Sequence, residues 1–287
     1  MTPSVQVFWV PKLGNAEEEY EDASSVAVAT RRFAIADGAT ESSFADRWAR
    51  SLVERFTAEP PLVPPSSVPL PDWLAPLQQR WYAEIAWDKL PWFAEEKARS
   101  GAFAALLGVY FLKPDPSKKA APWWSFLWKR REQPAGVRWH AMAIGDSCLF
   151  QVREEKLLKA FPMDNSARFS DRPLLVSSNQ SRNQSVWSSV ELAEGDCRAQ
   201  DLFLLCTDAV AKWFLAEHEA GRKPWEELTK ISSREEFAAL VSRLRENKSL
   251  KNDDSTILTI RWTDDPEPQS EPSPERGARP GAHPAPA

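Results

Sequence analysis

Four aspartates border short apolar runs, and each sits beside a small or turn-forming residue. The segments are Phe33-Ala-Ile-Ala-Asp37-Gly38, Met142-Ala-Ile-Gly145-Asp146-Ser147, Leu204-Leu-Cys-Thr207-Asp208-Ala209 and Asn252-Asp253-Asp254-Ser-Thr256-Ile. They lie far apart in the chain, so only a fold could bring them together. One carboxylate at a strand end means little, because Asp is a common turn former. Four with the same apolar lead-in or lead-out point to a shared carboxylate site at one edge of stacked sheets. Crowded anions repel one another and resist ionising. A hard divalent cation such as Mg²⁺ or Mn²⁺ removes that penalty, and oxygen ligands suit it. Singly, each aspartate reads best as a turn or helix cap; jointly, the metal site is the better reading.

The elements that would position these residues follow from pattern. Residues 4–10 read as a strand. Ser25–Thr30 and Phe33–Ala36 read as two strands joined at Arg31-Arg32. Ala45, Trp48, Ala49, Leu52, Val53 and Phe56 recur at spacings of three and four, which builds a helix with one apolar face and a capping box at Ser43 and Asp46. Residues 57–72 are proline-rich and read as a loop. A helical stretch covers Trp73–Trp87, and Pro91 opens another helix that stops near Gly101. Phe103–Leu112 reads as a buried strand, although a short apolar run does not by itself exclude a helix.

Val137–Ile144 and Cys148–Val152 read as a second hairpin with Gly145-Asp146-Ser147 at its turn. Residues 153–172 are mixed, and Pro173–Ser177 reads as a strand. Leu202–Cys206 is an apolar strand leading into a helix near Ala209. Ser233-x-x-Glu236 caps a helix whose apolar face is Phe237, Leu240, Val241 and Leu244. Ile257–Trp262 is the last strand. Strands mixed with helices, many joined as hairpins, indicate α+β packing rather than a parallel nucleotide-binding sheet.

Composition narrows the function classes. The chain has 287 residues, 43% hydrophobic and 27% charged, which suits a globular protein with a sizeable core. A net charge of −5 gives no basic footprint for nucleic acid. No stretch approaches the roughly 20 apolar residues of a membrane span, and the first residues lack a signal-peptide pattern. Cys148, Cys197 and Cys206 have no metal-ligand spacing, so a reducing, cytoplasmic setting is the simplest expectation. His140, His218 and His283 are too scattered for a histidine metal site. The chain after residue 262 is rich in Pro, Glu, Ser and Gly, so residues 1–262 are expected to form the folded domain and 263–287 a disordered tail.

In chain order these motifs resemble the metal-dependent, type 2C protein serine/threonine phosphatase family, across about residues 10–262. Glu21-Asp22-Ala23 resembles the family's acidic pair and Phe33–Gly38 its strand ending in Asp-Gly. Gly145-Asp146-Ser147 resembles its Gly-Asp-Ser turn, Leu204–Asp208 its Leu-Leu-x-Ser-Asp-Gly motif, and Asp253-Asp254-Ser-Thr256 its closing motif. The resemblance implies a four-layer α-β-β-α sandwich of two antiparallel sheets flanked by helices, with a metal site at one edge. It implies that Asp37 bridges two Mn²⁺ or Mg²⁺ ions, that the Gly38 carbonyl binds one of them, and that Asp208 and Asp253 complete the other. Glu21 would act through bound water, and Asp146 would help hold a looser third ion. Asp37, Asp208 and Asp253 would thus carry catalysis.

The implied chemistry is phosphoester hydrolysis by a water activated between two ions about 3.5–4 Å apart, with no protein nucleophile. The implied partner is a phosphoprotein substrate, a kinase or a kinase's target, in signalling. The chain departs from the family at three places. Glu17 stands where members often carry a phosphate-clamping arginine, and Lys12 is the candidate replacement, as a point charge without arginine's fork. Arg31 and Arg32 are poorer candidates because they sit in a turn. Ala39 replaces a histidine found in some members, and Ala209 replaces a glycine.

The alternative function is a non-catalytic phosphoprotein-binding or regulatory module with the same fold; a third is a phosphatase for small phosphoesters. Lys12 has the bland alternative of a solvated lysine, and Asp22 reads as a supporting residue behind the ligands. Ala121–Arg131, with three tryptophans and three basic residues, reads as a flap on the protein's own surface or as an aromatic-basic docking surface. Cys206 reads as a buried strand residue, and the remaining tryptophans at helical spacing as core.

Overall fold

The computed structural model describes residues 1–61, 68–112, 137–170 and 172–264. The tryptophan-rich segment 121–131 and nearly all of the proline-rich tail lie outside these residues. Among the described residues the strands are β1 (Thr2–Val10), β2 (Ala23–Ala27), β3 (Arg32–Gly38), β4 (Phe103–Phe111), β5 (Val137–Ile144), β6 (Cys148–Arg153), β7 (Lys156–Phe161), β8 (Val176–Ser177), β9 (Glu191–Cys197), β10 (Leu202–Cys206) and β11 (Ser255–Thr263). The helices are α1 (Ala45–Ala58), α2 (Leu70–Ala83), α3 (Trp92–Arg99), α4 (Asp208–Glu219), α5 (Pro224–Leu228) and α6 (Arg234–Glu246).

The strands form two antiparallel sheets. One has the order β1-β11-β10-β6-β7, and the other β2-β3-β4-β5-β9 with the short β8 paired to β4. Alternation along the strands sorts side chains into three apolar layers. Phe33 and Ile35 of β3, Trp139 of β5, Phe203 and Leu205 of β10, and Leu258 and Ile260 of β11 fill the space between the sheets. The opposite faces of the same strands meet helices. Ala34 and Ala36 lie against Trp48, Leu52 and Phe56 of α1 and Trp73 of α2. Leu204 and Cys206 lie against Val210 and Phe214 of α4 and Phe237 and Val241 of α6. The architecture is therefore the four-layer α+β sandwich.

Local chemistry explains the helix boundaries unevenly. Ser233 Oγ accepts the Glu236 N–H at 3.3 Å, and Glu236 reaches back to the Ser232 N–H at 2.8 Å. Such a cap stabilises by about 1 kcal/mol. The four apolar residues that α6 buries contribute about 1.5–3 kcal/mol each, so burial decides the helix and the cap its start. The capping box expected at Ser43 and Asp46 does not form. The residue before α1 is Phe44, in the left-handed region at φ 58°, and it makes no side-chain cap.

Other expectations also change. Val28–Thr30 turns as a 3₁₀ helix instead of extending β2. Trp87 falls in a 3₁₀ turn beyond α2. The strand expected over Pro173–Ser177 shrinks to the two residues of β8, and β11 runs through Thr263. Among the tryptophans, Trp92 is exposed rather than core.

The largest change concerns Val137–Ile144 and Cys148–Val152, which are not a hairpin. β5 belongs to one sheet and β6 to the other, so Gly145-Asp146-Ser147 crosses between sheets. The hairpin partner of β6, which also pairs with β10, is β7, joined through Glu154 and Glu155, both at positive φ.

Candidate functional site

Asp37 shares the parity of Phe33 and Ile35, so it lies at the end of the face of β3 turned toward the other sheet. Gly38 follows, and its lack of a side chain is required by space. A Cβ there would lie 2.5 Å from the Glu21 carbonyl oxygen and 3.1 Å from Ala45 Cβ. Gly145 has φ +98°, and a Cβ on it would lie 2.6 Å from Ala105 Cβ. Ala105 is the register partner of Asp37. The crossing between the sheets is thus pressed onto Asp37's own neighbour, which sets Asp146 beside Asp37.

Asp208 arrives from the second sheet, at the first residue of α4 directly after β10. Its Oδ1 accepts the Ala209 N–H, and the helix N-terminus favours its charge. Asp253 precedes β11 in a loop held from several sides. Arg245 of α6 donates to the Asp253 carbonyl at 2.5 Å and to the Pro11 carbonyl at 3.0 Å. Asp254, beside it, accepts the backbone N–H groups of Lys12 and Glu21, each at 2.7 Å. The last strand is thereby tied to the exit of β1 and to the approach to β2.

Asp22 is buried beneath these residues. Its Oδ2 accepts from Thr256 Oγ1 at 2.6 Å and from Thr207 Oγ1 at 3.1 Å, while its Oδ1 is buried without a hydrogen-bond partner among the described residues.

Asp37, Gly38, Asp146, Asp208, Asp253 and Lys12 line one pocket of about 580 Å³. Five of the six residues expected to bind metal, together with the expected phosphate-binding lysine, therefore meet there. Glu21 is not on the wall; its backbone carbonyl lies against Gly38. Arg31 and Arg32 sit at the opposite end of β3, about 20 Å of strand away. Arg31 stacks over Trp262, and Arg32 binds the carbonyls of Thr57 and Ala58. Glu17 forms an ion pair with Arg234 at 2.6 Å.

The electrostatics follow from the crowding. Asp37 keeps some surface open to the pocket. Even so, desolvation raises its pKa well above the ordinary carboxylate range, and the charges of Asp22, Asp208, Asp146 and Asp253 add to it. Burial and Asp208 push Asp146 up to about 7. Burial likewise raises Asp22, Asp208 and Glu21. Such a cluster calls for positive charge, and the chain supplies some itself. Lys251 Nζ lies 2.6 Å from Asp253 Oδ2 and 3.4 Å from Asp208 Oδ2.

No three acidic, histidine or cysteine side chains among the described residues close on one point as a ready-made metal cage. The residues nonetheless fit a hard divalent ion. The donors are all oxygens, Asp22 Oδ1 is an orphaned buried acceptor, and an ammonium stands in for a cation between two of the carboxylates.

Sequence reasoning missed two basic lining residues, Lys251 and Arg172. Lys251 lies two residues before Asp253, and a charged residue at that spacing from an expected ligand was the available signal. Arg172 had none beyond its charge, in a stretch read as mixed.

No protein-family model matches the chain, and no curated protein matches it in sequence. Solved structures do match its fold. The serine/threonine phosphatase PstP/Ppp of Mycobacterium tuberculosis aligns with a TM-score of 0.57 at 15% identity, over 92% of this chain and 100% of that one. The catalytic domain of PstP in complex with two manganese ions gives 0.54 at 16%, over 92% and 99%. The serine/threonine phosphatase Stp1 of Staphylococcus aureus gives 0.55 at 13%, over 91% and 95%. The described residues thus carry the fold of the type 2C protein serine/threonine phosphatases.

Proposed function

We propose that the chain is a Mn²⁺- or Mg²⁺-dependent protein phosphatase that hydrolyses phosphoserine and phosphothreonine. The observation that carries this reading is the meeting of Asp37, Asp146, Asp208 and Asp253 in one pocket, from segments spread over more than two hundred residues of chain. Asp37, the Gly38 carbonyl, Asp208 and Asp253 would hold two ions, with Asp146 toward a looser third and Glu21 acting through bound water. Bound there, the ions supply an activated water and neutralise charge on the phosphoryl oxygens.

The chain's own residues do the rest. Asp22 holds the hydroxyls of Thr207 and Thr256 through one oxygen and keeps the other buried without a hydrogen-bond partner among the described residues. Asp254 and Arg245 hold Asp253 in register. Lys12 and Arg172 line the pocket and bring positive charge to a phosphoryl group. No histidine lines the pocket among the described residues, so the leaving oxygen would take its proton from water or another donor.

The substrate we infer is a phosphoprotein, a kinase or a kinase's target. No helix among the described residues is long and apolar enough to cross a membrane. Its three cysteines are free, which suits the cytoplasm. The domain we assign is residues 1–262 with a tail beyond it.

A non-catalytic phosphoprotein-binding module is favoured by one observation: Glu17, at the position of the family's phosphate-clamping arginine, is bound to Arg234. Release of phosphate from a phosphothreonine peptide separates the two readings. The phosphatase reading expects release with Mn²⁺, none with chelator, and a loss of at least about a hundredfold in Asp208→Asn. No release by the wild type at saturating metal would favour the binding module.

A further inference from the structure

We infer that Lys251 is a tethered counter-ion that competes with the divalent metal for Asp208 and Asp253, so that metal must displace it to load the site. The inference rests on the metal-site reading above and adds its regulation. Lys251 Nζ sits 2.6 Å from Asp253 Oδ2 and 3.4 Å from Asp208 Oδ2, the two carboxylates assigned to one ion. A cation in that place and a metal bound by the same oxygens exclude each other by charge and by volume.

The loop is built so that only the side chain need move. Leu250 on one side is buried, and its N–H binds the Leu244 carbonyl at 3.1 Å. Asn252 on the other side accepts the Leu13 N–H at 2.8 Å and donates to the Leu13 carbonyl at 3.3 Å. The Asp253 N–H closes a turn onto the Lys251 carbonyl at 3.0 Å. Between these anchors the Lys251 side chain is 56% exposed, so it can swing into water through its own four-carbon stem without disturbing a ligand backbone. Arg245 occupies a different place, on the Asp253 and Pro11 carbonyls, where its charge reaches Asp253 only at longer range than the Lys251 ion pair.

Two consequences follow. The metal-free protein is spared the full repulsion of its carboxylates, because the chain carries part of the neutralising charge. Metal loading is weakened by the energy of the pair it breaks, so occupancy depends on divalent ion concentration over a higher range than the carboxylates alone would set.

The test is calorimetric titration of Mn²⁺ into the metal-free wild type, Lys251→Met, Lys251→Gln and Asp208→Asn, with melting temperatures as a second readout. Both lysine variants change an exposed side chain and should fold as the wild type does. The expected result is Mn²⁺ affinity about tenfold higher in Lys251→Met and Lys251→Gln than in the wild type, a larger metal-induced rise in melting temperature, and loss of binding in Asp208→Asn. Equal or weaker binding in both lysine variants, with Asp208→Asn silent, would overturn the counter-ion role and leave the metal site standing. No binding by the wild type or by either lysine variant would overturn the metal site and the counter-ion role together.

Discussion

Asp37 is held where an anion is expensive. It is desolvated, faces four other carboxylates, and its pKa is driven upward by both causes. A fold maintains such a cluster when a ligand of opposite charge offsets the cost. Lys251 offsets part of it within the chain, and divalent ions would offset more. Under the proposed function the pocket's remaining cations would meet the substrate. Lys12 is fixed at its backbone by Asp254 and lines the pocket, while Glu17 is turned away into its pair with Arg234. In the proposed role, replacing Lys12 with alanine would remove a charge that meets the phosphoryl group in both ground and transition states. Steady-state kinetics should show KM raised about tenfold with kcat nearly unchanged. An unchanged KM would remove Lys12 from the site.

Among the elements, the connection between β5 and β6 is the most instructive. Both flanking segments are short apolar runs with a Gly-Asp-Ser between them, a pattern that reads as a tight hairpin. It is a crossing between sheets, and periodicity alone does not tell one from the other because the residues flanking it, Ala141–Ile144 and Cys148–Val152, are buried on both faces. Elements with one decisive pattern were legible. The apolar run of β10, the face of α1 and the Ser233 cap of α6 all stand close to where sequence placed them. β7 and β9 were not legible, since their exposed positions carry Lys156, Lys159, Glu191 and Glu194, and edge strands of this kind lack a clean apolar alternation.

The candidate site was mostly legible because its aspartates sit at strand ends. Lys251 was not, because its importance comes from distance and not from any motif. Gly38 links the element to the site, since a side chain there meets the Glu21 backbone carbonyl, which cannot swing away. Gly38→Ala should destabilise the metal-free protein by about 1–3 kcal/mol in urea unfolding, with an unchanged m-value. A neutral substitution would contradict the close approach of β3 and the Glu21 segment.

At the scale of the whole molecule, two sheets packed over one apolar layer bring their strand ends to a common edge. Asp37 comes from one sheet, Asp208 and Asp253 from the other, and Asp146 from the crossing between them. Each sheet is backed by its own helices, so the sandwich is stabilised by three apolar layers, and the polar edge can be spent on function. The central claim is that this edge holds divalent ions. It is tested most directly by anomalous diffraction from crystals grown with saturating Mn²⁺. The account predicts Mn²⁺ peaks at coordination distance, about 2.0–2.6 Å, from Asp37, the Gly38 carbonyl, Asp208 and Asp253, with the Lys251 ammonium withdrawn from the pair. A pocket without Mn²⁺, with Lys251 still between Asp208 and Asp253, would contradict it.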